Sequence, residues 1–146
     1  MNNLLSAEQV LEEKGFFVTT TSGVSMKPLF SDRRDRIVIK PISERLKKYD
    51  VPLYRRGEKL VLHRVIGVKE DHYIIRGDNC IEREFVKDEQ IVGVLSEFYR
   101  KGKHHTVNEF GYKLYSRLWV FINPAIVLCK KTIFLLSRIY HKIIKK

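Results

Sequence analysis

The sequence predicts a mainly β protein: a compact, twisted or partly closed β domain, with a short N-terminal helix and C-terminal amphipathic helices. Three observations lead there. Short runs rich in Val, Ile and aromatic residues alternate with charged or glycine-bearing turns through the middle of the chain. A capping-box pattern stands near the start. After Glu109 the chain carries no acidic residue and mixes lysine and arginine with Ile, Leu and aromatic residues. The boundaries follow: a helix within residues 1–15, a β-rich domain over 16–109, and a basic amphipathic tail over 110–146.

Each element has a local cause. Ser6-Ala7-Glu8-Gln9 fits the capping box, Val10 and Leu11 turn inward, and Gly15 is a natural left-handed stop, so a helix is expected over about 7–14. From Phe16 to Thr21 aromatic and β-branched residues indicate a strand. Pro28 and Asp32-Arg33-Arg34-Asp35 mark a loop, and a short strand follows at Arg36 to Lys40. Residues 41–50 are polar and carry little pattern. Leu60 to Val68 reads as one apolar strand, Lys69-Glu70-Asp71 as a turn, and His72 to Arg76 as the returning strand. Gly77-Asp78-Asn79 is a turn. Ile91 to Leu95 is a further strand whose Gly93 suggests a bulge or a close backbone approach.

Composition narrows the function classes. A hydrophobic content of 44% supports a folded core and excludes a wholly disordered chain. Cys80 and Cys129 form neither a disulfide framework nor a metal-ligand pattern, so no metal site is expected. Residues 1–15 hold Glu8, Glu12 and Glu13 and lack the apolar core of a secretory signal. Of the net charge of +11, the tail supplies +8 through Lys113, Arg117, Lys130, Lys131, Arg138, Lys142, Lys145 and Lys146. A nearly balanced domain therefore carries a strongly basic tail, which seeks anionic lipid, nucleic acid or an acidic partner.

The candidate chemistry lies in three short segments. Ser25 follows a strand in Gly23-Val24-Ser25-Met26-Lys27-Pro28. A serine becomes a nucleophile only with a base to take its proton and donors to hold an oxyanion. On turn chemistry alone the same segment is equally a polar turn beside a buried Met26. His63 is the candidate base, a neutral imidazole suited to proton transfer near neutral pH, and equally a satisfied core histidine. Arg64, next in the strand, faces the other way. Asp78 either orients the imidazole or serves its tight turn.

Taken together, Ser22-Gly23-Val24-Ser25-Met26-Lys27-Pro28, Asp35-Arg36-Ile37-Val38, Leu62-His63-Arg64-Val65-Ile66-Gly67, Tyr73-Ile74-Ile75-Arg76-Gly77-Asp78-Asn79 and Ile91-Val92-Gly93-Val94 resemble the signal peptidase I family of membrane serine peptidases. The resemblance covers about residues 16–98, and the blocks stand in the family's order. It implies a β domain of signal-peptidase type and a serine endopeptidase that cleaves peptide or protein precursors without cofactor. The position before Arg-Val-Ile-Gly, lysine or histidine within the family, is His63, so the resemblance is to the Ser-His branch. The self-cleaving SOS repressors share the G-x-S-M block but use lysine. For Ser25 the resemblance implies acyl-enzyme formation, for His63 proton transfer, and for Asp78 orientation of His63 or support of the turn. Ser22, Gly23 and Met26 are implied near the substrate or its oxyanion. Three departures are visible. No membrane helix precedes the nucleophile block, Gly23 stands where some members place a hydroxyl, and only Glu82 or Glu84 represents the acidic residue that often follows Gly-Asp-Asn.

In a helical projection of the tail, Lys130, Lys131, Arg138, Lys142, Lys145 and Lys146 fall within about a 160° arc. Cys129, Ile133, Leu136, Tyr140, Ile143 and Ile144 gather opposite. Leu118 to Ile122 forms an apolar patch expected to end at Asn123-Pro124. A span from Leu118 to Leu136 would bury two lysines at roughly 2.5–3.5 kcal/mol each. The expectation is therefore a helix lying on an anionic membrane, peripheral on the cytoplasmic face, with a single C-terminal span as the alternative. The competing function class is a non-catalytic membrane- or nucleic-acid-binding module, and the clustered apolar side chains favour lipid over nucleic acid. Nothing in the sequence indicates an oligomeric state.

Overall fold

The computed structural model describes residues 6–144; Lys145 and Lys146 of the charged arc lie outside them. The fold is mainly β, with two sheets, a short N-terminal helix and a long C-terminal helix. Helix α1 spans Ala7–Lys14. Its capping box forms as expected: Gln9 N–H donates to Ser6 Oγ at 3.2 Å, and Ser6 N–H to Gln9 Oε1 at 2.7 Å. Gly15, at φ 74°, closes it by donating to the Leu11 carbonyl.

Strands β1 (Phe17–Thr20), β2 (Arg36–Lys40), β3 (Pro52–Arg56), β4 (Lys59–Leu62), β8 (Ile91–Arg100) and β9 (Lys103–Thr106) make the larger sheet. Its order is β1-β2-β8-β3-β4, with β9 also on β8. The ten-residue β8 is thus the spine, pairing β2 on one side and β3 and β9 on the other. A Cβ at Gly93 would sit 2.5 Å from Ile39 Cγ2 and 2.8 Å from the Lys40 carbonyl, so the close approach expected there is real. The register slips beside it, between Leu53 and Tyr54. The smaller sheet is the meander β5 (Arg64–Val68), β6 (Tyr73–Arg76) and β7 (Glu84–Val86).

Two parts of the β pattern differ from expectation. Strand β3 emerges where the sequence carried no assigned element, because Pro52 at its first position masks a run whose Leu53–Arg56 pair with β4 and whose Pro52–Tyr54 pair with β8. The strand expected over Leu60–Val68 breaks at His63, where the chain leaves the larger sheet and enters the smaller one. His63 therefore stands in the seam between sheets.

The core has two lobes. Leu11, Met26, Leu29, Phe30, Ile37, Ile39, Leu53 and Phe98 pack under α1 and the Ser25 turn. Tyr54, Val65, Tyr73, Ile75 and Val86 join the two sheets. The apolar patch at Leu118–Ile122 does not end at Asn123-Pro124. One helix, α2, runs through from Phe110 to Ile144, so the C-terminal helices expected are a single one. A proline inside a helix costs about 3 kcal/mol, and here contacts of Ser116, Trp119, Asn123 and Lys130 with the β domain offset it.

Candidate active site

Ser25 sits in a turn closed by Lys27 N–H on the Val24 carbonyl and by Phe30 N–H on that of Met26. The buried Met26, Leu29 and Phe30 pin this turn to the core. Gly23, at φ 86°, adopts a backbone that only glycine takes without strain, and its N–H donates to Asp32 Oδ1 at 2.7 Å. That amide is therefore committed. The Ser25 amide makes no hydrogen bond within the protein among the described residues, and so is free to donate to an anionic oxygen. Ser22 is exposed at the rim, whereas the Met26 side chain is buried beneath.

Ser22, Gly23, Ser25, Met26, His63 and Cys80 all line one cavity of about 480 Å³. Its walls are β1 and β4, the two outermost strands of the larger sheet, so the sheet curls until its edges face each other across the cavity. A Cβ at Gly77 would lie 2.7 Å from the Ser25 carbonyl oxygen, 2.7 Å from Cys80 Sγ and 3.0 Å from His63 Nε2. Only glycine leaves room for the Ser25 carbonyl and the imidazole to come this close to the Gly77 backbone.

The other ring nitrogen, His63 Nδ1, lies 3.1 Å from Glu84 Oε1 and 3.1 Å from Tyr54 Oη. Arg56 Nη1 donates to the same Glu84 oxygen at 3.1 Å. With Nδ1–H donated to the carboxylate, Nε2 presents its lone pair to the cavity. Burial pulls the His63 pKa below the usual 6.5, against the opposing pull of Glu84, so the ring is neutral at neutral pH. Burial likewise pushes the Tyr54 hydroxyl up and keeps it protonated.

Asp78 is elsewhere. Its carboxylate receives Arg64 Nε at 2.8 Å and Nη2 at 2.9 Å, and Tyr115 Oη–H at 2.9 Å. Of the two roles open to Asp78, orienting His63 or supporting its turn, the first is corrected on this geometry: Glu84 faces the imidazole, while Asp78 clamps Arg64. Arg64 is fully buried, bonded also to Ser116 Oγ at 2.8 Å and flanked by the rings of Tyr112 and Tyr115. As expected from its neighbour, it faces away from His63.

Sequence reasoning also missed Tyr54 and Arg56. Both lie on β3, the unassigned strand, so no local signal could place them beside His63. Glu84 carried one weak signal, its position shortly after Gly-Asp-Asn. Among the described residues no cluster of three or more His, Cys, Asp or Glu could hold a metal ion. No protein-family model matches the chain, and no curated protein matches it significantly.

Proposed function

We propose that the chain is a serine endopeptidase of signal-peptidase type, cleaving peptide or protein precursors at a membrane. The observation that carries this reading is the single cavity shared by Ser25 and His63, with Nδ1 of His63 committed to Glu84. Ser25 Oγ attacks the scissile carbonyl while His63 Nε2 takes its proton. The Ser25 N–H donates to the oxyanion of the tetrahedral intermediate. His63 then returns the proton to the leaving amine, and water, activated by the same ring, hydrolyses the acyl-enzyme. These side chains provide nucleophile, base and orienter, so hydrolysis is written without metal or organic cofactor.

The facing edges of β1 and β4 suit a substrate in extended form, held as an added strand by main-chain hydrogen bonds. A fluorophosphonate probe on the full-length protein tests the chemistry. Labelling at Ser25, lost in Ser25→Ala, is the expected result. A wild-type protein inert to the probe across pH 5–9 would remove the peptidase reading.

Helix α2 is long and apolar enough to cross a membrane. Its contacts favour a different placement. The helix touches the domain as far as Lys130, and residues 131–144 are exposed on every side. A span through them would carry Lys131, Arg138 and Lys142 into the hydrocarbon core at a cost of roughly 2.5–3.5 kcal/mol each near its centre. A helix lying on an anionic surface, the cytoplasmic leaflet, needs no undocking, and Lys131, Arg138 and Lys142 supply the charge. Flotation with phosphatidylserine vesicles at low salt, partly reversed at high salt, is expected. Extraction resistance to both salt and carbonate would replace the surface helix by a span.

A further inference from the structure

Helix α2 and the Ser25 turn never touch directly through a hydrogen bond, yet Asn79 bonds both. On one side, Asn79 N–H donates to the Ser25 carbonyl at 2.8 Å and its Nδ2 donates to the Val24 carbonyl at 3.1 Å. On the other side, Lys130 Nζ donates to Asn79 Oδ1 at 2.6 Å and to the Asn79 carbonyl at 3.2 Å. Among the described residues Lys130 is the α2 side chain that reaches Asn79; Trp119 and Asn123 stop at the Asp78 carbonyl.

An amide side chain can be turned over with little change of shape, exchanging donor for acceptor. The ammonium forbids that exchange here. It accepts no hydrogen bond, so only Oδ1 can face it, and Nδ2 must then face Val24.

We propose that Lys130 is a positioning residue for the nucleophile turn, acting through Asn79. The proposal rests on the peptidase reading for its consequence but not for its mechanics. In the full-length protein in non-ionic detergent, Lys130→Met should speed hydrogen exchange at the Asn79 amide by about tenfold or more, because both bonds from the ammonium to Asn79 are lost. Phosphonylation of Ser25 by a fluorophosphonate should slow by a similar factor, with the melting temperature lowered by only about 2–4 °C. Lys130→Arg should restore both, since a guanidinium also only donates. Lys103→Met, on the exposed strand β9, should alter neither. Lys130→Gln offers a second test of the same bond if the methionine variant is poorly folded, because its amide no longer dictates which way Asn79 turns. Wild-type exchange at Asn79 in both Lys130→Met and Lys130→Gln overturns the proposal. Faster exchange in a protein that the probe never labels would keep the coupling and sink the peptidase reading instead.

Discussion

His63 and Arg64 are neighbours in the chain, and each is paired with a carboxylate, yet the two pairs belong to opposite faces of the molecule. On the cleft face, His63 meets Glu84, whose side chain is 23% exposed and shared with the solvent-facing Arg56. On the helix face, Arg64 meets Asp78 with both side chains essentially sealed, at 0% and 2% exposure. Burial lowers the His63 pKa, so the ring stays neutral and able to accept a proton. Burial works against the Arg64 charge, but the Asp78 carboxylate beside it outweighs that and raises the Arg64 pKa, so the guanidinium stays charged. On the proposed reading one pair exchanges a proton, while the other holds α2, the smaller sheet and the Gly-Asp-Asn turn together.

The largest effect expected is on the cleft face. Ser25→Ala should lower turnover by at least about a thousandfold and leave the fold intact, since residues acting as one unit fail together. Retained cleavage in the purified variant would assign the nucleophile elsewhere. Glu84→Gln comes next, with turnover reduced by about 10²–10⁴, because an amide cannot enforce the imidazole tautomer as a carboxylate does. Its pH profile sharpens the point. Activity of the wild type should rise with pH through a midpoint below 6.5, as the lowered His63 pKa requires. Removing Glu84 removes a charge that favours the imidazolium, so the midpoint should move lower still. An upward shift, or none, would separate Glu84 from the base.

The helix-face variants should read out as stability. Asp78→Asn leaves the buried guanidinium short of its charge partner, and a loss of about 3–5 kcal/mol is expected in chemical denaturation. Its pH midpoint should move less than that of Glu84→Gln, because Asp78 is the weakest of the influences resolved on His63. A larger midpoint shift in Asp78→Asn than in Glu84→Gln would reverse the assignment of the two carboxylates. Ser116→Ala removes a single acceptor from Arg64 Nη1 and should cost about 1 kcal/mol, or roughly 2–4 °C in melting temperature.

Local chemistry made much of this protein legible from its residues alone. The Ser6–Gln9 box and Gly15 set both ends of α1, because a cap is completed within one turn of chain. Arg36–Lys40 and the Val68–Tyr73 hairpin were readable for the same reason, as side-chain alternation and turn residues act over a few positions. Ser25 and His63 stood out as residue types in recognisable segments, and both line the same cavity. What sequence alone left open depends on partners distant along the chain. Strand β3 is stabilised by β4 and β8 rather than by its own pattern. Pro124 is carried through α2 by anchors on a turn more than forty residues earlier. Between Asp78 and Glu84, only the folded arrangement decided which carboxylate meets His63. The sheets part at His63, sending that side chain towards the cleft and its neighbour Arg64 into the core, and each carboxylate pairs with the basic side chain on its own side.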